Sequence, residues 1–179
     1  MDSLDPFQIH ARYNRWMNEH LFDLCDGIPD HDRKQDRGAF FRSIHGTLNH
    51  ILLADRLWLG RFLDCPFPVQ ALDDELYRDY ETLKSERRAT DAEIEAYVGT
   101  LSEAVLMAPI TYTSVVDAQR RTFRLQDCLL HFFLHQVHHR GQITTLISQL
   151  GVDIGVTDLI GMPGIQHAAG ETRTTPAGF

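Results

Sequence analysis

Apolar residues recur at helical spacing over most of the chain. Ile9, Tyr13, Trp16, Met17, Leu21 and Leu24 fall three or four apart, the spacing of one helix face. Ser3-Leu4-Asp5-Pro6 ahead of them reads as a helix start, with Asp at the N-cap and Pro at the first helical position. Gly27 and Pro29 end this helix, and HDRKQDRG follows as a polar connection. A second helix is predicted over residues 38–63. Phe40, Ile44, Leu48, Ile51, Trp58 and Phe62 nearly encircle it, the mark of a helix buried on several sides. CPFPV breaks it. Asp73-Asp74-Glu75 puts negative charge where a helix N-terminus favours it, which predicts a third helical region reaching Met107. Thr90-Asp91-Ala92-Glu93 fits a capping box and predicts an interruption there. The period then changes. ITYTSVV and RRTFRL, rich in β-branched and aromatic residues, flank Asp117-Ala118-Gln119 and predict a short hairpin. A last long helix is predicted over 126–150, with Gly151 as its C-cap. Four helices of about 20 residues with one hairpin point to an all-α fold, a four-helix bundle. Residues 1–165 are expected to form one domain and 166–179 a disordered tail.

Charge and composition narrow the function. The chain has 179 residues and a formal net charge of −8, with no basic tract. Nucleic acid is therefore not an expected partner. No apolar run approaches the ~20 residues of a transmembrane helix, and the acidic N-terminus lacks a signal-peptide core. No membrane association and a cytoplasmic location are the expectations. Three cysteines without CxxC spacing read as reduced, mostly buried thiols.

Histidine carries the candidate chemistry. HFFLHQVHHRGQ holds four of the ten histidines. At 100° per residue, Leu129, Phe132, Ile143, Leu146, Ile147 and Leu150 define the apolar face of the last helix. His139 falls roughly 30° from its centre and His135 roughly 70°, whereas His131 and His138 fall well over 100° away. So His135 and His139 face inward at i and i+4, where two neutral imidazoles can grip one ion. A third ligand must come from another helix. His50 shares its side with Ala54 and Leu57, whereas His45 shares a more polar strip with Asn49 and Arg56; His50 is the better candidate. Chance produces HxxxH pairs readily in such a chain, and a lone buried histidine is more often a hydrogen-bonded core residue. The combination weighs more, because bundle interiors are where facing helices build metal sites. His10, His20, His31 and His167 read as solvated or structural. Asn49, Asp55 and Gln142 are polar residues near the ligands; Arg140 and Gln142 also read as long polar side chains that simply satisfy backbone or bundle-end groups, since such side chains on helices are usually solvated.

Other chemistries are missing their residues. There is no HExxH, no inward Glu-x-x-His pair of a di-iron bundle, no phosphate-binding Gly-rich loop and no GxSxG.

YNRWMNEHL, TLNHILLADRLWL, HQVHHRGQ and GVDIGVTDLIGM, spread over residues 13–162, resemble the DinB family of DinB/YfiT-like metalloenzymes. The resemblance implies a four-helix bundle of up-down-down-up order with a hairpin before the last helix. It implies a divalent ion, zinc or nickel most often with manganese or iron as alternatives, on three histidines. Matched position by position, these are His50, His135 and His139, while His138 is the non-ligating neighbour. Asn14 and Trp16 belong to the first-helix motif, Trp16 as a core residue. Related branches are thiol-dependent S-transferases and isomerases, which implies a low-molecular-weight thiol as co-substrate. Homodimers formed by helix packing are also implied. A three-histidine site leaves a position open for thiol or water. The competing expectation is a non-catalytic bundle that a metal stabilises or that senses one. No residue identifies the small-molecule substrate.

Overall fold

The chain was analysed as a computed structural model that describes residues 5–165. In chain order the elements are α1 (Asp5–Asp26), α2 (Asp30–Lys34), α3 (Ile44–Phe62), α4 (Tyr80–Gly99), α5 (Glu103–Leu106), β1 (Pro109–Thr113), β2 (Arg120–Arg124) and α6 (Leu125–Ser148). The four long helices pack as a bundle, and β1 and β2 pair antiparallel just ahead of α6. Side-chain pairs give the helix directions. Tyr80 Oη donates to the Phe22 carbonyl while Arg15 reaches Glu95, so α1 and α4 are antiparallel. Arg87 pairs with Asp55 and Tyr97 stacks on Phe62, so α3 and α4 are parallel. His50 meets His139 and Phe62 meets Phe132, so α3 and α6 are antiparallel. The order is up-down-down-up.

Two parallel neighbours in sequence need a long return. Residues 63–79 supply it by running back along α3. Cys65 and Phe67 lie against Gly60, where a side chain would collide with their backbone. Further on, Leu72 lies beside His50 and Tyr77 beside Asn49. Asn49 holds this strap with both ends of its amide: Oδ1 accepts from Tyr77 N at 2.9 Å and Nδ2 donates to Tyr77 O at 3.1 Å.

Several boundaries differ from the sequence expectation. The polar HDRKQDRG stretch contains α2. Helix α3 starts at Ile44, capped by Ser43, because the chain turns between Ala39 and Arg42, which has φ of 67°. Phe40 lies outside the helix and is 83% exposed. Asp73-Asp74-Glu75 is loop, with Asp74 accepting from the Gln70 and Ala71 amides. The cap of α4 is Asp79, which accepts from Thr82 N at 2.8 Å. No interruption occurs at Thr90, whose hydroxyl donates to Glu86 O at 2.9 Å as the helix continues. The break comes at Thr100, and Ser102 caps α5. The predicted tail, 166–179, lies outside the described residues. Among the described residues no helix is long and apolar enough to cross a membrane.

The core is two apolar clusters with a polar belt between them. One cluster includes Met17, Leu21, Leu48, Leu83 and Ile147; the other includes Phe7, Leu59, Ile94, Leu129 and Phe132. Between them lie Asn14, Asn18, Asp55, Arg87, Asp91 and Arg140, each at most 3% exposed. Arg87 donates to Asp55 at 2.5 Å and pairs with Asp91 at 2.9 Å. Asn14 and Asn18 donate to Asp91, and Arg140 donates back to Asn14. The belt thereby joins α3 to α4, α4 to α1 and α1 to α6. Burial pushes the Asp55 carboxyl up to about 7 against the pull of Arg87, and brings Arg140 down to about 10.

Removing one partner leaves a buried charge without compensation. Arg87→Met should lower the unfolding free energy by about 3–5 kcal/mol in urea denaturation. Arg124→Met, which breaks an exposed pair with Asp127, should cost under about 1 kcal/mol. Equal effects would show that the belt does not hold the bundle together.

Candidate metal centre

His50 projects from α3 toward α6, and His135 and His139 project from successive turns of α6. Their Nε2 atoms converge. His50 and His139 are 3.2 Å apart, His50 and His135 3.4 Å, and His135 and His139 3.0 Å. The tautomers follow from the other ring nitrogen. His50 Nδ1 lies 2.8 Å from the Leu72 carbonyl, which only accepts, so the ring proton sits on Nδ1. His139 Nδ1 likewise donates to Gln142 Oε1 at 2.8 Å. Each leaves an Nε2 lone pair pointing into the shared space. Lone pairs brought this close repel unless a cation lies between them.

The separations fit one ion. Imidazole nitrogens about 2.0–2.1 Å from a metal lie about 3.4 Å apart at a tetrahedral angle and about 3.0 Å apart at a right angle. Protonation is disfavoured as well. Burial drives the His135 pKa down to about 3 and the His50 pKa to about 4, and lowers that of His139. All three rings are therefore neutral near pH 7, the form in which imidazole ligates. Among the described residues this is the cluster of histidine, cysteine or carboxylate side chains able to hold an ion.

Phe41 covers one side. Its ring stacks on His50 with centroids 3.7 Å apart and meets His139 edge-on at 5.5 Å. Gly46 permits this, since a Cβ there would collide with the Phe41 carbonyl. A groove of about 740 Å³, walled by Lys34, Arg42, His45, Asp73 and Glu75, lies on the far side of Phe41 and does not include the three histidines. A smaller pocket of about 380 Å³ approaches from the other direction, with His131 in its wall. The His131 ring lies 5.9 Å from that of His135.

The remaining histidines do other things. His45 is buried and its Nε2 bonds to the Tyr77 carbonyl at 2.9 Å, fixing the return strap. His138 is exposed beside His139. His10 and His20 bond to the Pro6 and Ile154 carbonyls, His31 is exposed, and His167 lies outside the described residues. Of the polar candidates, Gln142 touches a site histidine, Asn49 holds the strap and Asp55 belongs to the belt. Arg140 is buried at 3% exposure, not solvated, because Asn14 receives its guanidinium. Trp16 is half-buried and stacks with His20. Sequence reasoning missed Phe41 and the Leu72 carbonyl. A backbone acceptor leaves no residue-type signal, and Phe41 falls inside the predicted second helix beside Phe40 with nothing to single it out. Cys25 and Cys128 are buried free thiols, and Cys65 is exposed.

The sequence profile of the DinB family matches residues 4–173. The chain belongs to the DinB family. It is 27% identical over 156 residues to Protein DinB of Bacillus subtilis strain 168, an alignment covering 82% of this chain and 87% of the relative. The fold of this DinB-family chain is similar to the crystal structure of a DinB-like protein from Bacillus cereus ATCC 10987. That match has a TM-score of 0.57 and 17% identity, and covers 79% of this chain and 90% of the other.

The depressed histidine pKa values imply a pH dependence of the metal-free protein. Unfolded imidazoles take up protons below about pH 6.5, whereas the folded rings resist until about 4 and 3. Stability from these rings is thus complete above pH 6.5 and is lost as pH falls toward 4. With chelator present, Tm should fall by several degrees between pH 7 and pH 5, and His135→Gln should flatten that slope. Identical slopes in the two proteins would refute the burial argument.

Proposed function

We propose that this DinB-family protein is a divalent-metal-dependent enzyme in which His50, His135 and His139 hold the ion and a thiol or a water is activated for attack on an electrophile. The observation that carries the reading is the convergence of three neutral Nε2 atoms within 3.4 Å of one another. A divalent ion on three neutral imidazoles supplies Lewis acidity and lowers the pKa of a thiol or water beside it. The protein's own groups prepare the place. Leu72 O and Gln142 Oε1 fix the ring tautomers and orientations, which raises ligand basicity. Phe41 shields the His50 side from bulk water. The belt contact of Arg140 with Asn14 keeps α6 turned so that His139 faces α3.

Zinc or nickel is the first expectation for the ion, then manganese or iron, because imidazole sites accept several ions and supply decides. The family resemblance favours a low-molecular-weight thiol as co-substrate over hydrolysis. It also favours a homodimer. Leu130, Leu134 and Val137, at i, i+4 and i+7 on α6, are 47%, 65% and 44% exposed and form an apolar stripe suited to a second copy. Leu134→Arg should turn a dimer into a monomer in light scattering without changing helix content; a wild-type monomer would refute the dimer.

The decisive measurement is elemental analysis of tag-free protein beside variants. Wild type should carry near one equivalent of metal, and His50→Ala and His139→Ala none while remaining folded. Gln142→Leu should weaken the affinity by about 10–100-fold. Loaded protein is then screened for thiol transfer and hydrolysis. Wild type that neither contains metal nor takes up zinc, nickel or manganese refutes the reading. Metal that raises Tm without turnover in either screen leaves the metal-tied, non-catalytic bundle.

A further inference from the structure

The pocket on the hairpin side of the histidine cluster has a chemistry of its own. Trp58, Tyr112, Phe123, Cys128 and His131 line it, with Arg121 and Asp127 at its rim. Its volume, about 380 Å³, suits a ring and a short linker. It forms because the hairpin stands off the bundle. Along β2 all five residues are exposed, while Ile110 and Tyr112 of β1 reach the apolar cluster.

The pocket interior is aromatic and carries no free charge. Trp58 and Tyr112 meet edge-on at 5.2 Å, and Tyr112 lies over Phe123 at 6.2 Å. Arg61 is laid across both Trp58 and Tyr112, 4.5 and 4.0 Å from the ring centroids, which stiffens that wall. The rim charges are engaged elsewhere: Arg121 with Asp117 at 2.6 Å and Asp127 with Arg124 at 2.9 Å. Burial pushes the Cys128 thiol up, so it carries no charge near pH 7.

Proximity to the histidine cluster gives the pocket a role. Because α3 and α6 are antiparallel, Trp58 lies two turns from His50 and His131 one turn from His135, on the same side. The His131 ring touches both sites, 5.3 Å from Trp58 and 5.9 Å from His135. One molecule can therefore place its reacting end at the histidines and its tail against Trp58.

Resting on the metal reading of the cluster, we infer that the Trp58–Tyr112–Phe123 pocket is a specificity subsite that takes an uncharged aryl end of the enzyme's electrophilic substrate. Flat aromatic groups gain most from such walls, through edge and face contacts with rings already in place.

The test uses zinc-loaded full-length protein with Trp16→Phe, which leaves Trp58 as the one tryptophan, since the chain has two. The probes are acetohydroxamate and 4-phenylbutyrohydroxamate, a metal chelator without and with an aryl tail. The aryl probe should bind at least tenfold tighter by calorimetry and change Trp58 emission. A Tyr112→Ser, Phe123→Ser double variant should lose that advantage while its acetohydroxamate affinity stays unchanged. Equal affinities, an advantage that survives the double variant, or unaltered Trp58 emission overturns the subsite. If neither hydroxamate binds, the metal reading has failed, and 4-phenylbutyrate decides the pocket by itself. Saturable change of Trp58 emission, absent in the double variant, then supports it; no change overturns it.

Discussion

Charge buried at the centre of a helical bundle must find partners there, and that requirement organises this molecule. The belt of Asn14, Asn18, Asp55, Arg87, Asp91 and Arg140 is buried. An ion there loses several kcal/mol of hydration, which only close partners return. Arg87 has two carboxylates, Asp91 has two asparagine donors, and Arg140 has the Asn14 carbonyl. Apolar side chains tolerate a helix sliding or turning by a fraction of a residue; these contacts do not. The belt therefore sets register where the two apolar clusters would leave it loose. Its net worth is specificity more than stability, since a well-packed apolar layer could be as stable.

The histidine cluster inherits that register. Arg140 follows His139 directly, so the contact that seats Arg140 on α1 also fixes which way His139 points. Asp55 lies little more than a turn beyond His50 on α3. The two helices that carry the ligands are thus each anchored in the belt close to the ligand. The return strap completes the arrangement. Down-down order obliges residues 63–79 to run back along α3, and the strap delivers the Leu72 carbonyl to His50 Nδ1. A direct turn between antiparallel helices would provide no such acceptor. Topology and ligand tautomer are in this sense one feature.

Much of this was legible in the sequence, and the failures have a common cause. The helices, the hairpin and the inward pair His135 and His139 follow from periodicity, and His50 from its apolar neighbours. The family resemblance added the helix order. Reading apolar residues as the core misplaced the centre of α1, because Asn14 and Asn18 occupy it and Trp16 sits at its flank. Arg140, read as satisfying backbone or bundle-end groups, is instead part of the buried belt. Thr90 and Asp91 looked like a cap for the reason they are useful in the belt: short side chains that bond locally. Asp91 bonds across the bundle instead, and the helix runs through. Polar residues at core positions defeat pattern reading because their partners lie far away in sequence, 77 residues in the case of Asn14 and Asp91.

The position of the cluster between unlike neighbours bears on selectivity. On the belt side the surroundings are fixed and charged, and nothing can enter. Over His50 lies Phe41, held by the close approach at Gly46. Next to His135 stands His131, in the wall of a pocket whose aromatic sides come partly from the hairpin, where all five residues of β2 are exposed. Buried helices carry the three histidines, and an exposed hairpin lines the neighbouring pocket. Few side chains of β1 and β2 reach the core, Ile110 and Tyr112 among them. The belt fixes the three histidines and the hairpin does not, so the hairpin is the part of this fold whose sequence the cluster constrains least.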